Sequence, residues 1–342
     1  MQYLPEARRS IVANYLTGIP PARDCRARGR AMSSRSHPLL LIHVGYQRTG
    51  STWLQKHLFA GENTGFCSPF QKGGDIMDRL VLVHPFEFDA EDHRPYFSNI
   101  LGKVGASGLI PVVSSERMIG SSICGGFDAM QMAERLHSVF ETPRILLVVR
   151  EQRSLILSLY KTYLRAGGIM PIDDFLDPPE KGRGFIPHFS LGHFRFEKII
   201  KYYDKLFDRE NVLVLAYEKF QTDPKGFVGR LCSFCDLDTP DHLQFGRLEN
   251  SAGNAAYLNV KRRLNPFLRR HPTNSYSNLV IPGGAGFLDA SARVIAGVTG
   301  RGRKTEAAWR DAVERAVGDR YAAGNRWLEE RLGFGLSEYR YY

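Results

Sequence analysis

Short apolar runs alternate along this chain with stretches of helical spacing. Leu39 to Val44 is continuous and apolar apart from His43, and it stops at Gly45. A run with no polar face suits a strand covered on both sides, as at the centre of a parallel sheet. The same pattern recurs at Leu109 to Val113, Ile145 to Val149 and Asn211 to Ala216, each followed by a helical pattern. Four strands alternating with helices predict an α/β fold, a three-layer sandwich around a central, mostly parallel sheet.

Between the last two strands the spacing predicts a helix from about Glu151 to Ala166, a Pro- and Asp-rich loop through Pro171 to Gly184, and a helix from about Leu191 to Phe207. Asp223-Pro224 opens another helix, since Pro is well placed in a first helical turn. Residues 251–302 hold Pro266, Pro272, Pro282 and the cluster Gly283-Gly284-Ala285-Gly286. They read as an irregular cover over the sheet within a single domain spanning 38–342. Lys304 to Leu332 regains helical spacing, with Trp309, Val313, Ala316, Val317, Tyr321 and Trp327 as its apolar positions.

Charge divides the chain unevenly. Of the formal +10, half lies in the first 37 residues, where seven Arg are offset by Glu6 and Asp24. That segment lacks interleaved aromatics and reads as a basic, disordered tail, with Met32 as an alternative start; no nucleic-acid partner is expected from it. The remaining charge suits a protein that holds a polyanionic small molecule. No apolar stretch reaches the roughly 18 residues of a membrane span, and no secretory leader is visible. Five scattered cysteines do not form a disulfide framework. The expected location is the cytoplasm. Cys232 and Cys235 form a lone CxxC without further ligands at zinc spacing, so no metal is expected.

Two segments carry candidate chemistry. The first is Gly45-Tyr46-Gln47-Arg48-Thr49-Gly50-Ser51-Thr52-Trp53, a glycine turn between a strand and a helix. Such a turn offers free backbone N–H groups and a helix dipole to an anion. Gly50 allows close approach, Ser51 and Thr52 add hydroxyls, and Arg48 adds fixed charge. The ATP-binding pattern GxxxxGK[ST] is absent because Ser51 stands where its Lys would be. In the second segment Arg150 follows a strand and Ser158 lies eight residues later on a helix. An Arg at a strand's C-terminal end lies in the crevice where ligands of open parallel sheets bind.

The first segment resembles the 5'-phosphosulfate loop of the sulfotransferases that use 3'-phosphoadenosine-5'-phosphosulfate (PAPS), whose pattern runs Tyr-Pro-Lys-Ser-Gly-Thr-Thr-Trp. Gln47 and Arg48 depart from it, standing where the family often has Pro and Lys. The spacing of Arg150 and Ser158 resembles the family's 3'-phosphate motif, and Tyr217-Glu218-Lys219 followed by Asp223-Pro224 resembles a third family segment. The likeness covers Leu39 to about Leu237 and weakens in the last helix. It implies a P-loop-containing nucleotide hydrolase-like fold and sulfonate transfer from PAPS to a small-molecule, carbohydrate or lipid acceptor, without a metal. It further implies that Arg48, Thr49, Gly50, Ser51 and Thr52 hold the phosphosulfate, Arg150 and Ser158 the 3'-phosphate, and Trp53 and Tyr217 the adenine. Core packing is the plain alternative for both aromatics.

The transfer needs a group that steadies the leaving phosphate and a base for the acceptor. Arg48 suits the first task as an electrostatic clamp. Glu116, just after the strand Leu109 to Val113, suits the second if burial raises its pKa; an ion pair with a nearby Arg is the alternative. His43, His84 and His188 are substitutes, and the stretch Phe185 to Phe196 is expected to line the acceptor pocket. Two other functions compete: a kinase-like phosphotransferase, weakened by the missing Lys, and a non-catalytic nucleotide- or nucleic-acid-binding module.

Overall fold

The computed structural model describes residues 39–60, 63–70, 74–178, 187–245, 255–267 and 302–342. Five strands, β1 (Leu41–His43), β2 (Phe66–Cys67), β3 (Ile110–Ser114), β4 (Arg144–Val149) and β5 (Val212–Ala216), form one sheet in the order β2-β3-β1-β4-β5. Every pairing is parallel. All strand C-termini therefore reach one edge, and everything that follows a strand starts there.

Alternation along the strands produces the three layers. In β4, Ile145, Leu147 and Val149 face one core, while Leu146 and Val148 face the other. The larger core is covered by helices Ala90–Ala106, Ala129–Val139, Gln152–Ala166, Phe196–Phe207, Gly302–Val317 and Ala322–Leu332. Helix Pro224–Phe234 and the helix that begins at Ser51 cover the smaller one. The strand interiors are almost wholly dry, and each buried Val, Leu or Ile contributes about 1.5–3 kcal/mol.

Several elements differ in detail from the sequence expectations. The segment from Lys304 to Leu332 is two helices, Gly302–Val317 and Ala322–Leu332, parted at Gly318, whose φ is 50°. The stretch before Phe207 is a 3-10 turn, Leu191–Phe194, followed by the helix Phe196–Phe207. Within the proposed cover, Ala255–Leu264 is helical and buries Ala255, Ala256 and Leu258. Residues 251–254 and 268–301 lie outside the described residues, as do residues 1–38. Cys232 and Cys235 are buried free thiols, and burial pushes them up to about 11 and about 12. They are packing residues of the smaller core. Cys67 is disulfide-bonded. Among the described residues no group of three His, Cys, Asp or Glu could hold a metal ion. Among them, too, no helix is long and apolar enough to cross a membrane.

Candidate functional site

The site is built where β1, β3, β4 and β5 end together. β1 runs into the loop through Gly45, and the chain enters helix Ser51–Trp53, which continues as a π-helical turn, Leu54–Leu58. Gly50 stands at the helix N-cap with φ 88° and supplies no side-chain cap. A Cβ there would lie 3.2 Å from the Phe220 ring and 3.3 Å from Tyr217, so this turn needs glycine for both space and backbone conformation. Arg48 also takes a positive φ, 70°. The first backbone bonds of the helix come from Trp53 and Leu54, both to the Gly50 carbonyl. Among the described residues, the N–H groups of Thr49, Gly50, Ser51 and Thr52 make no backbone hydrogen bond, as is usual at a helix N-terminus.

Side chains of the loop divide into two kinds. Thr49 Oγ1 donates to the Tyr46 carbonyl at 2.6 Å and is buried, so its hydroxyl shapes the loop. Tyr46 is buried and donates to the His193 carbonyl at 2.8 Å. Thr52 is exposed. Ser51 is buried, and its hydroxyl donates to Glu116 Oε1 across 65 residues of chain. Arg48 Nε donates to Ser158 Oγ at 3.0 Å. Arg150 donates from Nη1 to the Arg48 carbonyl at 3.0 Å, and its guanidinium lies 5.0 Å from the centre of the Tyr217 ring. The two sequence motifs, about 100 residues apart, thus meet at Arg48.

Electrostatics follow from this crowding. Burial lifts Glu116 above the ordinary carboxylate range, while the Ser51 hydroxyl and the Arg48 charge pull it back. No ion pair joins Glu116 to its neighbour Arg117, which pairs instead with Asp128 at 2.7 Å. Burial lowers Arg150, and Tyr217 and Glu218 counter it. Arg165 is lowered by burial and by the Arg48 charge, so it belongs to the same positive cluster. It lies seven residues after Ser158, two turns along one helix face, a spacing that could have identified it.

Trp53 is half-buried, stacked on Phe245 at 5.3 Å and tilted against Phe220 at 5.0 Å. Tyr217 is 4% exposed and packs with the smaller core. Of the histidines, His43 is wholly buried under the loop, with Nδ1 2.8 Å from Ser114 Oγ. His84 caps an exposed turn, accepting from the Phe86 N–H, and stands apart from this cluster. In the expected acceptor stretch, residues 185 and 186 lie outside the described residues; Phe189, His193, Phe194 and Phe196 are buried and packed into the core, and His188 keeps partial exposure.

A model of the sulfotransferase domain family matches residues 40–265, well over half of the sequence. The chain belongs to the sulfotransferase family. Among solved structures this sulfotransferase is similar to one from Alicyclobacillus acidocaldarius, with 16% identity and a TM-score of 0.44, over 67% of this chain and 95% of that one. It is similar also to the sulfotransferase domain of the Synechococcus PCC 7002 olefin synthase, at 14% identity and TM-score 0.34, over 78% and 98% of the two chains. Mouse sulfotransferase SULT7A1, solved with PAP, is a third, at 11% and 0.31, over 86% and 90%. No curated protein sequence matches the chain.

Proposed function

We propose that this sulfotransferase moves a sulfonate group from PAPS to a hydroxyl or amine of an acceptor and releases 3',5'-ADP. The observation that carries the proposal is the meeting at Arg48, whose guanidinium bonds Ser158 and whose carbonyl takes Arg150. One arginine joins an open N–H loop to a second cationic site, which suits a nucleotide with an anionic group at each end. The donor set fits that molecule. Thr49, Gly50, Ser51 and Thr52 would hold the 5' end, Arg150 and Ser158 the 3'-phosphate, with Trp53 and Tyr217 beside the base.

Glu116 takes the proton of the acceptor as the acceptor's oxygen or nitrogen bonds to sulfur. The bond from sulfur to the 5'-phosphate oxygen breaks, and that oxygen keeps the electron pair. Arg48 then faces the new charge without giving up a proton. Glu116 must first let go of the Ser51 hydroxyl, and its raised pKa makes it a stronger base than an exposed carboxylate. Isothermal titration calorimetry with 3',5'-ADP, and separately with ATP plus magnesium, tests the donor. Tighter binding of 3',5'-ADP is expected, and a preference for ATP overturns the reading.

A further inference from the structure

Helix Ala322–Leu332 ends at Gly333, whose left-handed φ of 72° turns the chain back on itself. The returning segment is pinned along its length. Leu336 is fully buried and gives its N–H to Glu329 Oε2 at 3.0 Å. Phe334 and Tyr339 both approach the Lys219 ammonium, at 4.7 and 5.6 Å. Tyr341, 1% exposed, receives the Asn325 side chain on its carbonyl, and Asn325 shares two further bonds with Gln152, at 2.7 and 3.3 Å.

From Tyr341 the chain of bonds leads into the site. Its hydroxyl donates to Glu218 Oε2 at 3.0 Å, and Glu218 Oε1 accepts the Glu151 N–H at 2.9 Å. That N–H belongs to the peptide joining Arg150 to Glu151. On its other side the Glu151 carboxylate takes the N–H groups of Arg153 and Ser154, both at 2.7 Å. The corner that carries Arg150 is therefore gripped by its own helix cap and by Glu218, while the guanidinium points to Arg48 and Tyr217.

We propose that Tyr341, acting through Glu218, is a positioning residue for Arg150 as a ligand of the donor's 3'-phosphate, so that the segment Gly333–Tyr342 is a working part of the donor site. This rests on the reading of Arg150 given above. A tyrosine with a packing role alone needs no carboxylate partner, and burying both groups costs desolvation that an apolar contact avoids. Here the bond fixes a carboxylate whose second oxygen sets a strand-to-helix corner. Removing the hydroxyl leaves Glu218 Oε2 without a partner in a half-buried place, loosens its hold on the Glu151 N–H and lets Arg150 drift. Arginine-to-phosphate bonding is sensitive to that aim.

Calorimetry with 3',5'-ADP and with 5'-AMP, which differ only in the 3'-phosphate, tests this on wild type, Tyr341→Phe, Arg150→Ala and the double variant. Tyr341→Phe weakens 3',5'-ADP about tenfold and leaves 5'-AMP within about twofold. In the Arg150→Ala background it has no further effect. Glu218→Ala, which removes the grip from the other side, gives the same selective loss. Equal weakening of both nucleotides, or a loss that persists without Arg150, overturns the proposal. Wild type binding both nucleotides equally well overturns the donor-site reading itself and the proposal with it.

Discussion

His43 sits at the end of β1, wholly buried beneath the anion loop, with its ring 5.6 Å from that of Phe59. Ser114 Oγ lies 2.8 Å from its Nδ1 and takes the Gln55 amide at 3.1 Å, while Nε2 is buried without a hydrogen-bond partner among the described residues. Burial lowers its pKa from 6.5 to about 4, so the folded chain keeps this imidazole neutral. The sign follows: between those values the unfolded chain binds the extra proton, so stability is full above the unfolded value and is lost as pH falls towards the folded one. At about pH 5.5 the unfolded imidazole is some nine-tenths protonated and the folded one hardly at all, a difference of about 1.4 kcal/mol relative to pH 7.5. His43→Asn keeps an acceptor for Ser114 and removes the titration. Urea unfolding at the two pH values should show wild type losing about 1.4 kcal/mol more than the variant. The comparison is of slopes, because the smaller side chain lowers stability equally at both pH values. Equal losses in the two proteins would refute the claim that this ring is held neutral.

Glu116→Gln should reduce turnover by about 10²–10⁴ while leaving 3',5'-ADP affinity unchanged. Wild-type turnover should fall as pH drops through a value above the ordinary carboxylate range, because protonation removes the base; steady-state pH profiles of both proteins check this. Arg48→Ala should cost more in turnover than in nucleotide affinity, roughly 10²–10³ in kcat, as measured by single-turnover assays beside calorimetry. Equal losses count against a role in steadying the leaving phosphate.

Four of the five strands were legible because each lies within a largely apolar run, and β3, β1, β4 and β5 lie where those runs lie. β2 was not, since the two residues Phe66 and Cys67 carry no period. Helix Ala255–Leu264 has helical spacing of its own, but its neighbours Pro266 and Pro272 dominate the pattern over a wider window. The loop and Arg150 were visible from local order alone: strand, glycine, hydroxyls, and an arginine at a strand end. What local order does not contain is who meets whom. The Ser51–Glu116 bond closes over 65 residues, Arg48–Ser158 over 110 and Tyr341–Glu218 over 123, and each depends on the sheet order bringing strand ends together. Glu218 sits inside a segment already singled out, yet nothing beside it in sequence points to Tyr341.

The two helices that start at the site treat their first turns in opposite ways. Glu151 caps Gln152–Ala166 with both carboxylate oxygens, whereas Gly50 leaves the helix at Ser51 without a side-chain cap. A glycine at this position forgoes roughly a few tenths of a kcal/mol against a capping serine or aspartate. On the proposed function, the donor's 5' end supplies at this one turn the partners that no side chain provides. Donor occupancy and resistance to unfolding then become one quantity seen from two sides.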